Sequence, residues 1–263
     1  KHLDIGSNKP TKGELEKFPH HLIDILEPNE KFSVGDFKKR SLKIIKKADE
    51  QSKIPIFVGG TMMYFHSLLE GLADLPKRDD LIRVELSCDL ETFGLASLFK
   101  RLEKIDPEAA EKIHPHDTQR IIRALEVCLI TNDKFSEILK KENQKNLLNR
   151  KIFSFAVIPE DRVNYKKELK VRFNAMLSKG FVNEVKSIIK KFSKEAPPLN
   201  SVGYRQCLEF LNGELSEEEF ISKSVNATYH LAKRQMTWLN KLTTTKIFEK
   251  EEMNKVIKIE SFL

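Results

Sequence analysis

Four short clusters carry side chains able to do chemistry. Gly59-Gly60-Thr61 follows the apolar run Ile54-Pro55-Ile56-Phe57-Val58. Two glycines let a backbone turn sharply or come close to a ligand, and Thr61 stands where a helix N-cap would stand. Taken alone, the triplet is more plainly an ordinary strand–turn–helix connection with a capping Thr. Asp117-Thr118-Gln119-Arg120 opens a strongly periodic helix. The open N–H groups of a helix start, an amide and a guanidinium fork suit base edges or phosphates, although a capped helix with solvated side chains is the plainer reading. In Gly203-Tyr204-Arg205-Gln206 a glycine precedes an aromatic and a cation, a combination that suits base stacking with a phosphate contact. A turn with a half-buried Tyr serves as well. Lys233-Arg234-Gln235, with Trp238 one turn on, could line a nucleic-acid channel or simply form a basic amphipathic helix. The adjacent His20 and His21 do not suggest a metal. Neighbours in an extended segment point to opposite sides, and no Cys or His stands at ligand spacing.

These clusters need elements to hold them. Residues 54–58 read as a short buried strand, since the run is apolar and too short for a free-standing helix. Ser33, with Asp36 three residues later, starts a helix carrying Val34, Phe37, Leu42, Ile44 and Ile45, which makes an αβ step of a parallel sheet. Tyr64, Phe65, Leu68 and Leu69 give a short helix stopping at Gly71. From Lys77 to about Arg150 the pattern is helical without strands: 78–90, 95–105 ended by Asp106-Pro107, a short 109–113, and a helix capped by Asp117. Residues 152–158 read as a second buried strand closed by Pro159. The rest reads as helical, with Gly180 as a stop and Ser216-Glu217-Glu218-Glu219 as a start.

The chain has 263 residues, 40% hydrophobic and 32% charged, which is enough apolar material for a folded core. No apolar run reaches membrane-spanning length and no secretory signal pattern opens the chain, so a cytoplasmic protein without membrane contact is expected. Cys88, Cys128 and Cys207 are odd in number and in no metal-like pairing, which suits reduced thiols. The formal charge of +7 is compatible with a polyanionic partner without establishing one.

Taken together, the clusters resemble one family. Pro19-His20-His21-Leu22-Ile23-Asp24, Val58-Gly59-Gly60-Thr61 with Tyr64, Gln119-Arg120 with Arg123-Ala124-Leu125-Glu126, Gly203-Tyr204-Arg205-Gln206, and Lys233-Arg234-Gln235 with Thr237-Trp238 resemble the tRNA dimethylallyltransferases in order and spacing, over essentially the whole chain. The resemblance implies transfer of a dimethylallyl group from dimethylallyl diphosphate to the exocyclic N6 amine of the adenosine 3′-adjacent to the anticodon. The base must be flipped out of its stack for that amine to be reached. It also implies an α/β fold, a P-loop-type parallel sheet core with helices on both faces and an all-helical insertion. Residues 1–76 and 151–263 would form the core, and 77–150 the tRNA-contacting insertion.

By the same resemblance, Thr61 lies beside the reacting adenine and donor, and Arg83 stabilises charge on the departing diphosphate. Arg172 is associated with the donor diphosphate. Asp117, Thr118, Gln119, Arg120 and Ile121, then Asn200, Ser201, Val202, Gly203, Tyr204 and Arg205, and finally Lys233, Arg234, Gln235, Met236, Thr237, Trp238, Leu239 and Asn240 match segments that touch tRNA. Gln119 is expected to read the flipped base. Mg²⁺ is expected, bound mainly through the segment that would precede Lys1 and through the diphosphate, with no metal ligand assigned within these residues, and a monomer is expected.

The family's glycine-rich phosphate loop and an acidic residue in an Asp-Ser pair would precede Lys1. No G-x-x-x-x-G-K-[ST] occurs in residues 1–263, so these residues alone are expected to be inactive. Thr118 stands where many relatives have Pro, a change that the first helical position tolerates. The rival readings are a P-loop nucleotide kinase-like transferase and an RNA-binding protein lacking the donor site.

Overall fold

The structure is a computed structural model that describes residues 1–71, 73, 75–142, 151–159, 161–240, 242 and 245–249. Its elements are α1 (Lys12–Lys17), α2 (Val34–Glu50), α3 (Met62–Leu69), α4 (Asp80–Ile105), α5 (Pro107–Lys112), α6 (Thr118–Thr131) and α7 (Phe135–Glu142), followed by β1 (Phe155–Ile158), α8 (Arg162–Ser178), α9 (Phe181–Phe192), α10 (Tyr204–Leu211), α11 (Glu217–Leu239) and β2 (Lys246–Glu249). They fall into two compact units, one of Lys1–Tyr64 with Arg150–Leu263 and the other of Phe65–Asn149.

Helix starts follow local chemistry. Ser33 and Asp36 close a capping box at α2, Thr11 and Glu14 at α1, and Ser216 and Glu219 at α11; each satisfies N–H groups that a helix start leaves open. Helix α4 runs through the two segments expected at 78–90 and 95–105. Gly94 marks the break between them, at φ 75°, a left-handed conformation that glycine adopts without steric cost.

The first unit packs around Phe173 of α8, Phe181 and Val185 of α9, Leu199 in the turn ahead of α10, Tyr204 and Cys207 of α10, and Phe220 of α11. Phe173 meets Phe181 and Phe220 edge-on, the favoured arrangement of aromatic quadrupoles. A separate aromatic group joins α2 to α3 and to the segment before it: Phe37 stacks on Tyr64 at 4.2 Å and meets Phe57 edge-on. In the second unit Leu86, Leu98 and Leu102 of α4 pack on Ile121, Ala124 and Leu125 of α6 and on Ala109 and Ala110 of α5. Asp106 is buried there but satisfied, capping α5 at the Ala109 amide and accepting from both the amide and hydroxyl of Ser136.

The strands depart from expectation. Residues 54–58 are extended but pair with no strand among the described residues, and Ile54, Ile56 and Val58 are 69%, 74% and 91% exposed. Pro55 and Phe57, on the alternate face, are half-buried, Phe57 against Phe37. An apolar run becomes a buried strand only when neighbours cover it, and no described strand does so. Among the described residues the sheet has two strands, β1 parallel to β2, with Phe155 opposite Lys246 and Ile158 opposite Glu249. β1 is half-exposed rather than interior. β2 lies in a stretch expected to be helical. Of the polar stretch from Glu142 to Arg150, expected to link back to the core, Glu142 closes α7 and residues 143–150 lie outside the described residues.

Candidate functional site

Thr61 is exposed immediately before α3, and its carbonyl accepts the Tyr64 N–H at 2.9 Å in the first helical turn. The turn in front of it is held from α11. Nε2 of Gln235 donates to the carbonyl oxygen of Gly60 at 2.9 Å, and a Cβ on Gly60 would stand 2.2 Å from that nitrogen. Gly60 is therefore required by close approach, not by an unusual backbone angle. Gln235 is expected among the tRNA-touching residues; in the structure its amide is committed to the turn that carries Thr61.

On α11, Lys233 and Arg234 are exposed, as are Thr237 and Asn240, while Met236, Trp238 and Leu239 are half-buried. The Thr237 hydroxyl donates back to the Lys233 carbonyl at 3.0 Å, a local bond within the helix. Arg172 is exposed on α8, a helix packed on α11 through Tyr165 and Tyr229.

The segment 200–205 divides into exposed and buried members. Asn200, Ser201 and Arg205 are exposed, Val202 is half-buried, and Gly203 and Tyr204 are buried. Tyr204 is only 3% exposed and packs edge-on against Phe181, so its ring offers no face to a base. That corrects the stacking expectation in favour of its structural alternative. The Tyr204 hydroxyl donates to Glu184 at 2.8 Å. Burial, with the Glu184 carboxylate beside it, holds the phenol well above its ordinary pKa, so it remains a donor at any working pH. Glu184 also accepts the amides of Asp4, Ile5 and Gly6, which fastens the 4–6 loop to α9 and α10.

In the second unit, Arg83 of α4 meets Glu126 of α6 side-on. Its Nε donates to Oε1 at 3.1 Å and its Nη2 to Oε2 at 3.0 Å. Arg123 adds a bond from Nη1 to Oε2 at 2.7 Å, and the Asp79 amide one to Oε1 at 3.0 Å. Burial alone would raise the Glu126 pKa. The hydrogen bonds from Arg83, Arg123 and Asp79 outweigh it and hold the carboxyl below its ordinary value. The group is therefore an anion between two cations.

Asp117 caps α6 by accepting the Arg120 amide, and it also pairs with the Arg120 guanidinium at 3.3 Å. Thr118 is half-buried, whereas Gln119 and Arg120 are exposed. Ile121 is fully buried in the α4–α6 core, so its side chain cannot reach a ligand. Gln119 and Glu126 are seven residues apart on one helix, roughly 10 Å along its axis.

Neither Glu126 nor Glu184 has a role assigned from sequence. The signal for Glu126 is a lone acid inside the buried run Ala124–Cys128 of a periodic helix. Glu184 looks like an ordinary first-turn acid of α9. Among the described residues no group of three or more His, Cys, Asp or Glu side chains could hold a metal ion, and no helix is long and apolar enough to cross a membrane. Burial pushes the Cys207 thiol up to about 12 and raises Cys128, which leaves both as unreactive core thiols.

Comparison with known proteins gives consistent matches. A "tRNA dimethylallyltransferase" of Francisella philomiragia is 43% identical over 258 residues, spanning 97% of this chain and 83% of the relative. One of Francisella tularensis subsp. novicida is 43% identical over 241 residues, spanning 91% and 78%. Among solved structures, the full-length tRNA isopentenylpyrophosphate transferase of Bacillus halodurans superposes with a TM-score of 0.68 at 28% identity, over 100% of this chain and 82% of that one. A eukaryotic dimethylallyltransferase acting on tRNA shares the fold, with a TM-score of 0.74 at 24% identity over 94% of this chain and 64% of that one. The sequence model of the family described as "IPP transferase" matches residues 1–242. The helix-rich α/β chain described above belongs to the IPP transferase family.

Proposed function

We propose that this protein is a prenyltransferase that moves a dimethylallyl group from dimethylallyl diphosphate to the N6 amine of the adenosine 3′-adjacent to the anticodon of tRNA. The observation that carries this reading is 43% identity, over nearly the whole chain, to relatives named tRNA dimethylallyltransferase. The geometry supports it at residue level. Arg83 is an always-charged guanidinium held rigidly at one edge, as stabilisation of a departing diphosphate requires. Thr61 is an exposed hydroxyl on a braced turn.

In the reaction, the N6 nitrogen forms a bond to C1 of the dimethylallyl group while the C1–O bond to diphosphate breaks. The amine loses a proton and diphosphate leaves with the bonding pair. Arg83 would oppose charge growing on the leaving oxygens, with Arg172 as a second cation toward the diphosphate. Thr61 would orient the amine or a phosphate oxygen. Gln119, exposed at the α6 start, would pair with the adenine edge. Lys233, Arg234 and Arg205 would contact tRNA phosphates. Among the described residues no group of three or more His, Cys, Asp or Glu could hold Mg²⁺, which would act as counter-ion of the diphosphate. We further propose that the protein acts as a monomer.

The test is incubation of the full-length protein with labelled dimethylallyl diphosphate and unmodified tRNA. Label on the adenosine 3′ of the anticodon is expected. Absence of label from tRNA would overturn the proposal, and label at another nucleoside would overturn its site.

A further inference from the structure

Glu126 has no exposed side-chain surface, yet it lies in a helix whose neighbouring residues, Ala124 to Cys128, form a core. An unpaired buried carboxylate costs several kcal/mol, so such a residue persists only where partners surround it. Here the partners are complete. Each carboxylate oxygen accepts two bonds: Oε1 from the Asp79 amide and Arg83 Nε, Oε2 from Arg83 Nη2 and Arg123 Nη1. That fills the acceptor capacity of the group.

The two arginines are not equivalent. Arg123 is held twice, by Glu126 and through Nη2 to the Pro76 carbonyl at 2.7 Å, so it works as a stay for the residues leading into α4. Arg83 spends one edge on Glu126. Its side chain is 31% exposed, and its Nη1 has no hydrogen-bond partner among the described residues. Two guanidiniums and one carboxylate leave the group with one net positive charge. A side-on bidentate pair fixes the plane and direction of a guanidinium that would otherwise sample many rotamers.

We propose that Glu126 is a positioning residue that aims the outer edge of the Arg83 guanidinium at the donor diphosphate. This rests on the transferase reading above, since it is the diphosphate that Arg83 would meet. The physical reason is preorganisation: a cation already fixed where charge develops needs no reorganisation as the C–O bond breaks. Asp79 completes the device. Its side chain caps α4 by accepting the Leu81 and Ile82 amides, while its own amide donates to Glu126, so one residue ties the start of α4 to the middle of α6.

The experiment uses full-length protein and two readouts. In the first, inorganic diphosphate is titrated while the Arg83 Nε–Hε resonance is followed by NMR. Wild type should show a resolved signal that moves with added diphosphate. Glu126→Gln should broaden that signal and weaken diphosphate binding at least fivefold. In the second, kcat for prenyl transfer should fall at least tenfold in Glu126→Gln while tRNA affinity stays within twofold. Arg83→Lys leaves Glu126 paired with Arg123 and Asp79; it keeps the charge but loses the side-on pair, and should lower kcat similarly even where Glu126→Gln folds poorly. Adding Glu126→Gln to Arg83→Lys should then lower kcat little further. An Arg83 signal indifferent to diphosphate, wild-type kcat in Arg83→Lys, or fully multiplicative losses in the double variant would overturn the proposal. If wild type moves no label to tRNA while diphosphate still shifts Arg83 and Glu126→Gln abolishes that shift, the transferase reading fails and the clamp stands.

Discussion

Gln235 and Gly60, 175 residues apart, are joined by a 2.9 Å bond from the Gln235 amide to the Gly60 carbonyl, with no room between them for a methyl group. The contact ties the middle of Gly59-Gly60-Thr61 to Lys233-Arg234-Gln235. It gives Gln235 a task unlike that of its two basic neighbours, which are exposed. Gln235→Ala should therefore slow prenyl transfer roughly tenfold by loosening the turn before Thr61, a loss of about 1.4 kcal/mol in the transition state. Its tRNA dissociation constant should stay close to wild type. Filter binding and single-turnover transfer, measured on one preparation, separate the two effects. A parallel loss in both would return Gln235 to the tRNA surface.

Gly60→Ala tests the same contact from the other side. The added Cβ meets the end of a flexible side chain, so the variant should fold while displacing the Gln235 amide. Thr61→Ala should slow transfer far more than it weakens tRNA binding. Gly60→Ala should resemble Gln235→Ala in both size and kind, and the double variant Gly60→Ala/Gln235→Ala should be little worse than either alone. Additive losses in kcat would show that the two residues act separately.

The clamp of Glu184 on the 4–6 loop predicts a stability effect. Tyr204→Phe removes one hydrogen bond to Glu184 and should cost about 1 kcal/mol in urea unfolding. Gly6→Ala should cost more, because its Cβ would stand 2.4 Å from the Tyr204 ring carbon and hydroxyl and 2.5 Å from Phe181, in a rigid core. An exposed Tyr204 stacked on a base would predict the reverse, with Tyr204→Phe nearly silent in stability.

Acid sensitivity of the second unit should trace to Glu126. Its carboxyl titrates below the ordinary value of 4.5 because Arg83, Arg123 and the Asp79 amide favour the anion over the opposing effect of burial. A depressed carboxylate contributes stability that is fully present above the unfolded pKa and is lost as pH falls through the folded one. Unfolding free energy followed from pH 6 to pH 3 should therefore fall in wild type. In Glu126→Gln it should start lower and fall less steeply. Equal slopes would mean that other carboxylates carry the acid dependence.

What could be read from sequence divides along the range of the interactions. The capping boxes at Ser33 and Ser216, the stop after Ile105 and the Asp117 cap depend on residues three or four positions apart, and each was legible. The strands were not. Whether Ile54, Ile56 and Val58 are covered depends on chain far away in sequence, and β1 finds its partner about ninety residues later in β2. The chemical blocks were visible as a set, but the division of labour within them was not. In Gly203-Tyr204-Arg205 the buried ring and the exposed guanidinium are adjacent residues, separated only by which way α10 faces its core. Glu126 and Gln235 take their tasks from partners 43 and 175 positions away.

The exposed cations of α11 give the last prediction. Lys233 and Arg234 face outward on a helix whose other side packs on α8, and their neighbour Gln235 is already occupied. If they meet tRNA phosphates, replacing each by Ala should weaken binding of all tRNAs alike, because phosphate contacts carry no sequence information. The logarithmic salt slope of the affinity should fall by roughly 0.7–0.9 for every phosphate no longer neutralised, as fewer counterions are released. Once tRNA is saturating, kcat should be unchanged, since neither residue would touch the reacting atoms. Binding isotherms at three salt concentrations with cognate and non-cognate tRNA provide the measurement. A weakening confined to the cognate tRNA, or an unaltered slope, would move the phosphate contact elsewhere, with exposed Arg205 as the first alternative.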